Sequence, residues 1–369
     1  MWGWEMAYNY VELGSLITPS KTVRCGDGVY PVLSMTMHNG LVFQDEKFKK
    51  VIASKDTSDY KVVYRNQLVI SFPIDEGVLA AQRITDAGIV SPAYGIWDIN
   101  QSKILPEFLE YALRCDRAIQ YYKAKLRGST ARRRTIPTPT LLAFMVPLPC
   151  LEEQKMVIDR IHRARLVIEN RKEQMNKLDD LIKARFVELF GDPISNSKNL
   201  ETKSLNEIMI LKAGDFTAAS AISDTLTETH RYPCYGGNGI RGFVAEYNQE
   251  GEYSLIGRQG ALSGNVQYAK GRFKNTEHAL LVTPKIQMNS IWLNQLLINL
   301  ELKRFQTGAA QPGLSVKNLQ DIPIITVSIE KQNRFADFVA KIDKSKATVR
   351  RSLDENQKLF DGLMQQYFG

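Results

Sequence analysis

Between residues 152 and 190, apolar or small residues recur at alternating steps of four and three: Val157, Ile161, Ala164, Ile168, Met175, Leu178, Ile182 and Leu189. That spacing predicts one long amphipathic helix with a narrow apolar seam. Two seam positions, Arg171 and Arg185, are basic. No Gly or Pro interrupts the run, and Gly191-Asp192-Pro193 stops it, glycine offering a left-handed cap and proline preventing continuation. A second stripe of the same phase passes through Phe335, Val339, Ile342, Val349, Leu353, Phe360, Leu363 and Tyr367, with Lys346 and Asn356 as polar breaks. Each helix would be roughly 55 Å long at ~1.5 Å per residue. The seam is narrow and the opposite faces are charged throughout, which favours a two-helix coiled coil over a pair of core helices in one compact domain.

The two stripes are copies. A shift of 178 places Leu151-Glu152-Glu153-Gln154 on Ile329-Glu330-Lys331-Gln332, Asp159 on Asp337, Leu181 on Leu359 and Phe190-Gly191 on Phe368-Gly369, with no gap. The sequence thus closes where its first repeat closed, and two copies of one plan imply a target in two parts. The segment 192–328 begins where the first helix ends and finishes where the second begins. Parallel helices would force it to bridge roughly 55 Å, whereas antiparallel helices bring its ends together, as compact domains prefer. The expected shape is a rod with a globular head at each end, related by an approximate two-fold axis. The heads share a fainter likeness at an offset of 202, Tyr30-Pro31 and Gly40-Leu41-Val42 matching Tyr232-Pro233 and Gly242-Phe243-Val244. Each continues with strand-like runs (residues 60–72 and 252–256) and closes with a helical stretch (106–122 and 291–305). The fold class expected is therefore α+β: two mixed α/β heads, 1–150 and 192–328, and two spacer helices, 151–191 and 329–369.

Bulk composition changes this picture little. The chain has 369 residues, 44% hydrophobic and 24% charged, as in an ordinary globular protein with room for two or three domains. No apolar run approaches the ~18 to 20 residues of a membrane span, and the N-terminus lacks a signal peptide's basic start and apolar core. A cytoplasmic location is expected. Cys25, Cys115, Cys150 and Cys234 form no CxxC pair, which supports neither a disulfide framework nor a zinc site. A net charge of +8 is compatible with a polyanionic partner.

The arrangement of that charge is more informative. Lys123, Lys125, Arg127, Arg132, Arg133 and Arg134 cluster before the first long helix beside Tyr121 and Tyr122, and Ser129 and Thr130 could donate to the same phosphates. In the second head, Tyr235, Asn238 and Arg241 occupy a Gly-rich loop, followed by Arg258-Gln259 and by Lys270, Arg272 and Lys274. Arginine suits guanine's paired acceptors, and Asn or Gln suits adenine's acceptor and donor. Arg65-Asn66 and His38-Asn39 hold comparable turn positions in the first head. A solvated basic surface would have the same composition. Gly237-Asn238-Gly239-Ile240-Arg241-Gly242 satisfies GxGxxG, but the alternating aromatic run after it predicts a strand where a dinucleotide site needs a helix, so a Gly-rich turn is expected. No P-loop, GxSxG, HExxH or Pro-Pro motif is present, and the four histidines have no metal-ligand spacing.

These features together resemble the specificity (DNA-recognition) subunit of type I restriction-modification enzymes. The residues that carry the likeness are Arg185-Phe186-Val187-Glu188-Leu189-Phe190-Gly191-Asp192-Pro193 and the lead-in Val146-Pro147-Leu148-Pro149-Cys150-Leu151-Glu152-Glu153-Gln154, echoed from Ile322-Pro323 to Gln332. The resemblance implies two target-recognition domains, each reading half of a split double-stranded DNA site, joined by an antiparallel spacer. It implies two modification subunits that use S-adenosylmethionine, docked on outer helix faces such as Glu169, Lys172, Glu173 and Lys177. A restriction subunit would supply ATP- and Mg2+-dependent chemistry, leaving no catalysis, metal or cofactor in this chain. A coiled-coil scaffold whose heads bind proteins, an orphan DNA-binding adaptor and a stand-alone nuclease or methyltransferase are the competing readings. Binding to random duplex at low salt separates the scaffold from the others, and an activity assay on the isolated chain tests the enzyme.

Overall fold

The computed structural model describes residues 8–37, 39–47, 56–72, 74–126, 136–308 and 312–369. Packing divides the chain into two compact units, one of Met1–Asn170 with Ser352–Gly369 and the other of Arg171–Arg351. The longer helices are α1 (Pro106–Arg114), α2 (Asp116–Lys125), α3 (Leu151–Phe190), α4 (Ser290–Asn299) and α5 (Ile329–Phe368). The two long predicted helices, α3 and α5, are both unbroken over 40 residues, and the shift of 178 carries one set of bounds onto the other. Mixed sheets and helices make the fold α+β.

The first unit is built on a four-stranded antiparallel sheet. Its strands are β1 (Ile17–Pro19), β2 (Leu68–Ile70), β3 (Leu79–Ala81) and β4 (Gly95–Ile99), in the order β1-β4-β2-β3. Two-stranded pairs flank it: Leu33–Thr36 with Gly40–Phe43, and Lys61–Tyr64 with Ala87–Val90. Proline at the first position of α1 presets the helical φ where its missing N–H costs nothing. The helix then buries Phe108, Leu109, Ala112 and Leu113 in the core. The single helical stretch expected over 106–122 is in fact two helices. Cys115 between them is extended (φ −70°, ψ 162°), and its buried thiol lies 3.2 Å from the Ala112 carbonyl and 3.4 Å from that of Phe368. The break lets α2 turn Ala118 and Tyr122 into the same core. Val157 and Ile161 near the start of α3 share that core with Tyr367 and Phe368 at the end of α5, and Arg160 donates to the Tyr367 hydroxyl at 2.6 Å. The two long helices therefore run antiparallel here.

The second unit carries a six-stranded sheet of β5 (Met209–Ala213), β6 (Tyr232–Gly236), β7 (Gly239–Val244), β8 (Gln249–Gly257), β9 (Val266–Asn275) and β10 (Ala279–Pro284). The order is β5-β10-β8-β9-β6-β7, antiparallel except where β6 pairs with β9. Asn289 caps α4 by accepting from the Ile291 and Trp292 amides, and the helix buries Trp292, Leu293, Leu296 and Leu297. Here the end of α3 meets the start of α5. Phe186 and Phe190 pack on Phe335 and Trp292 with ring centroids 5.5 to 6.4 Å apart, and Lys346 pairs with Asp179 across the helices. The helices are again antiparallel. The expected seam needs one correction. Leu189 is exposed and Phe186 is buried, because at this end the helix enters a globular core and its buried positions follow the α-helical repeat instead of the heptad. The helical stretch expected to reach residue 305 stops at Asn299 and continues as a tight turn, Leu302–Phe305.

One side chain explains how the repeat builds both units. Gln154 is fully buried; its Oε1 accepts from the Leu105 amide at 2.8 Å, and its Nε2 donates to the Pro149 and Lys103 carbonyls. Gln332, at the shift of 178, does the same: Oε1 accepts from the Asn289 amide at 2.8 Å and Nε2 donates to the Val327 carbonyl. Leu105 and Asn289 are the residues that precede α1 and α4. Each glutamine thus staples the start of a long helix to the start of the head helix beside it, satisfying backbone groups that burial would otherwise strand. A short strand pair recurs as well, Tyr10–Glu12 with Met145–Pro147 and Thr202–Ser204 with Pro323–Ile325.

Candidate nucleic-acid interface

In the second unit three connections converge at one place: the β6–β7 turn at Gly237-Asn238, the β8–β9 loop after Gly257, and the β9–β10 turn at Thr276 to His278. The convergence depends on glycine. A Cβ on Gly257 would collide with the Gly237 carbonyl, and one on Gly237 would lie 3.1 Å from the His278 carbonyl. The strand β7 begins inside the GxGxxG sequence, at Gly239, so Gly237-Asn238 is a turn between paired strands and not a helix N-terminus.

Polar side chains of the base-reading types ring that convergence. Asn238 is exposed and accepts from Asn265 Nδ2 at 3.0 Å. Gln259 Oε1 lies 2.8 Å from His278 Nδ1, and His278 Nε2 lies 3.2 Å from Glu277. Arg258 is half-buried, its backbone amide bonded to the His278 carbonyl at 3.1 Å. Arg241 is exposed on β7, its stem lying over Gly236, and among the described residues it makes no ion pair. Asn265 and His278 carried no mark in the sequence beyond a preceding Ser-Gly and a Thr-Glu turn. Only strand pairing brings them here.

Other residues singled out from sequence sit differently. Tyr235 belongs to β6 rather than a loop; it is buried against Phe273 at 5.4 Å, and burial pushes its phenol pKa up. Arg241 likewise lies in a strand. Lys270, Arg272 and Lys274 alternate along β9 and so share a face, as period-two geometry requires. All three already have acidic partners: Lys270 with Glu252 at 2.8 Å, Arg272 with Glu250 at 3.1 Å, and Lys274 with Asp215 at 3.5 Å. The first two are cross-strand pairs directly in register. Hydrogen bonds from Lys270, Tyr268 and Ser290 hold the Glu252 carboxyl down to about 2. The Asn248 amide beside Asp215, helped by Lys274, lowers that carboxyl too.

In the first unit Asn66 adopts a left-handed turn (φ 69°) and donates to Gln101 at 2.8 Å, while Arg65 bonds Asp86 at 2.9 Å and the Arg83 carbonyl at 2.6 Å. Lys123 and Lys125 are exposed in the last turn of α2, and among the described residues neither has an ion-pair partner. Arg127, Arg132, Arg133 and Arg134, with Ser129, Thr130 and His38, lie outside the described residues. Among the described residues no group of His, Cys, Asp and Glu is arranged to hold a metal ion, and no helix is long and apolar enough to cross a membrane.

Comparison with known proteins fits this geometry. The family model for the type I restriction modification DNA specificity domain matches residues 197–355. Over 141 residues (38% of this chain) the chain is 45% identical to the type I restriction enzyme EcoprrI specificity subunit of Escherichia coli. The chain spans about a third (35%) of the length of the curated relatives it matches. Among solved structures, the type I restriction-modification S subunit from M. genitalium superposes with a TM-score of 0.58 at 17% identity, covering 100% of this chain and 98% of that one. A structure from work on complex assembly and conformational transition of the type I R-M system gives 0.57 at 16% identity, over 98% and 97%. At such identities the likeness is one of fold.

Proposed function

We propose that the whole chain is a non-catalytic specificity subunit whose two units each read half of a bipartite double-stranded DNA site, a reading supported by the match of residues 197–355 to the family model for the type I restriction modification DNA specificity domain. The observation that carries this reading is the repeat itself. The staple of Gln154 recurs at Gln332 and the helix bounds coincide, yet the loops of the two units differ in chemistry. A shared frame with divergent loops is what two readers of different sequences need. The long helices act as a ruler that sets the spacing of the two half-sites, at one to two turns of ~34 Å each.

Two modification subunits, carrying S-adenosylmethionine, dock on the outward helix faces. There Glu169, Lys172, Glu173 and Lys177 are exposed, and Leu181 and Leu359, equivalent by the shift of 178, are 46% and 57% exposed. Restriction subunits bring the ATP- and Mg2+-dependent steps, and the complex works in the cytoplasm. The heads extend over 1–150 and 192–328.

The test is to express the chain with type I modification subunits and map methylated adenines on a random plasmid library. Two short motifs separated by a constant unspecified stretch are expected. One contiguous motif, or methylation that ignores sequence, would overturn the reading. Inserting one heptad in both helices should lengthen the gap and leave both motifs intact.

A further inference from the structure

We infer that Lys303 and Arg304 form a DNA-backbone phosphate site that seats the second unit on its duplex; this rests on the DNA-reading function proposed above. The two cations lie in the tight turn after α4 and are exposed, and among the described residues neither forms an ion pair, although Arg304 is near enough to Asp192 to help lower its carboxyl and rests 4.6 Å over the Phe305 ring. That sets them apart from Lys270, Arg272 and Lys274, whose charges are already met by carboxylates.

Their placement is built. Glu301 takes a left-handed conformation (φ 50°) that swings the chain out of α4. Gly264 (φ 84°) then lets the β8–β9 loop rest on the turn, since a Cβ there would fall 2.6 Å from the Lys303 amide nitrogen and 2.9 Å from its Cα. Gln306 adds a second tie, its Nε2 donating to the Ser263 carbonyl at 2.5 Å. Between loop and turn lies a cavity of about 490 Å³ lined by Asn265, Ile298, Glu301, Lys303 and Arg304. Asn265 reaches from the cavity wall to Asn238, at the convergence of the reading loops. The carboxylate on the wall, Glu301, faces Lys183 at 4.0 Å. A phosphate held by the cations would thus sit beside the base-edge candidates, as phosphate contacts must to set register. In the first unit Lys123 and Lys125, in the last turn of α2, are likewise exposed and form no ion pair among the described residues.

The experiment uses the full-length chain and a fluorescein-labelled random-sequence duplex, with anisotropy read between about 50 and 200 mM salt. Each phosphate contact contributes about 0.9 to the slope of log K against log salt, so K303A/R304A should lower the slope by about 1.8. K303R/R304K should keep it, and K270A/R272A should change it little because those charges are internally neutralised. E301Q should strengthen binding. An unchanged slope in K303A/R304A, with the wild type binding salt-dependently and the variant's circular dichroism native, overturns the phosphate site and leaves the reading function standing. A wild-type chain that shows no salt-dependent binding to duplex overturns both.

Discussion

The two units share a frame and differ in almost everything mounted on it. Both staple a long helix to a head helix through one buried glutamine, and both close the head with a short strand pair. On that frame one unit carries a four-stranded sheet with two flanking strand pairs, the other a six-stranded sheet whose Gly-rich turns crowd together. The difference teaches where selection for structure ends. Positions that bury backbone groups repeat residue for residue, while exposed loops follow their own chemistry. Charge divides the units too. In the second, Lys270, Arg272 and Lys274 on β9 are met by Glu252, Glu250 and Asp215, whereas among the described residues Arg241, Lys303 and Arg304 form no ion pair.

The frame is not perfectly symmetric, and the largest expected effect tests that. Phe186 is fully buried against Phe190, Trp292 and Phe335, whereas its counterpart by the shift of 178, Met364, is only partly buried. F186A should cost about 3–5 kcal/mol and M364A no more than about half of that, measured by hydrogen exchange resolved over each unit. Equal losses would mean the two helix ends are packed alike after all.

The staple gives the next effect. Replacing Gln154 or Gln332 by Leu keeps the volume and strands a buried amide and its carbonyl partners. Each change should cost about 2–4 kcal/mol, at ~1–3 kcal/mol per stranded group. Gln154 should lose more, since it also holds the Lys103 carbonyl. A negligible loss at either site in urea titrations would show that the glutamine does not tie the frame there.

A smaller effect belongs to the second unit alone. Folding holds the Glu252 carboxyl at about 2 against an ordinary 4.5, so the folded state favours its ionised form. The stability this contributes is complete above the ordinary value and is lost as pH falls from 4.5 towards 2. E252Q should lower the melting temperature at neutral pH and flatten its fall through that window. A melting curve as steep as the wild type's would discount the Lys270, Tyr268 and Ser290 contacts. Least of all, L181K and L359K should each shift stability by less than about 0.5 kcal/mol, because both side chains point outward. If the docking proposal holds, the same changes impair co-purification with modification subunits.

Much of this was legible in the sequence. The forty residues of α3 hold no Gly or Pro and repeat apolar steps of three and four, which admits little besides a helix, and the repeat carries the same bounds to α5 across Gly362. Seam residues such as Val157, Ile161, Phe335 and Val339 are buried as the spacing requires. Phe186 escaped because a heptad continued to the helix end points to Leu189, and only the globular core that the helix enters breaks the heptad. The interface was less legible. Clustered cations on β9 read as free until strand register set Glu250 and Glu252 opposite them, and Tyr235 read as a loop aromatic until β6 carried it into the core. Register joins residues tens of positions apart, which a local pattern does not encode. The chemistry of Asn238, Arg258 and Gln259 was visible; that Asn265 and His278 stand beside them was not.

The division of the chain has a consequence for its synthesis. The second unit is one continuous stretch, Arg171–Arg351, while the first needs Tyr367 and Phe368 to fill its core. A ribosome makes most of the first unit early, yet that unit stays open until the closing turns of α5 emerge. The later-made unit can therefore close first, leaving the earlier one as a waiting half-shell for chaperones to shield.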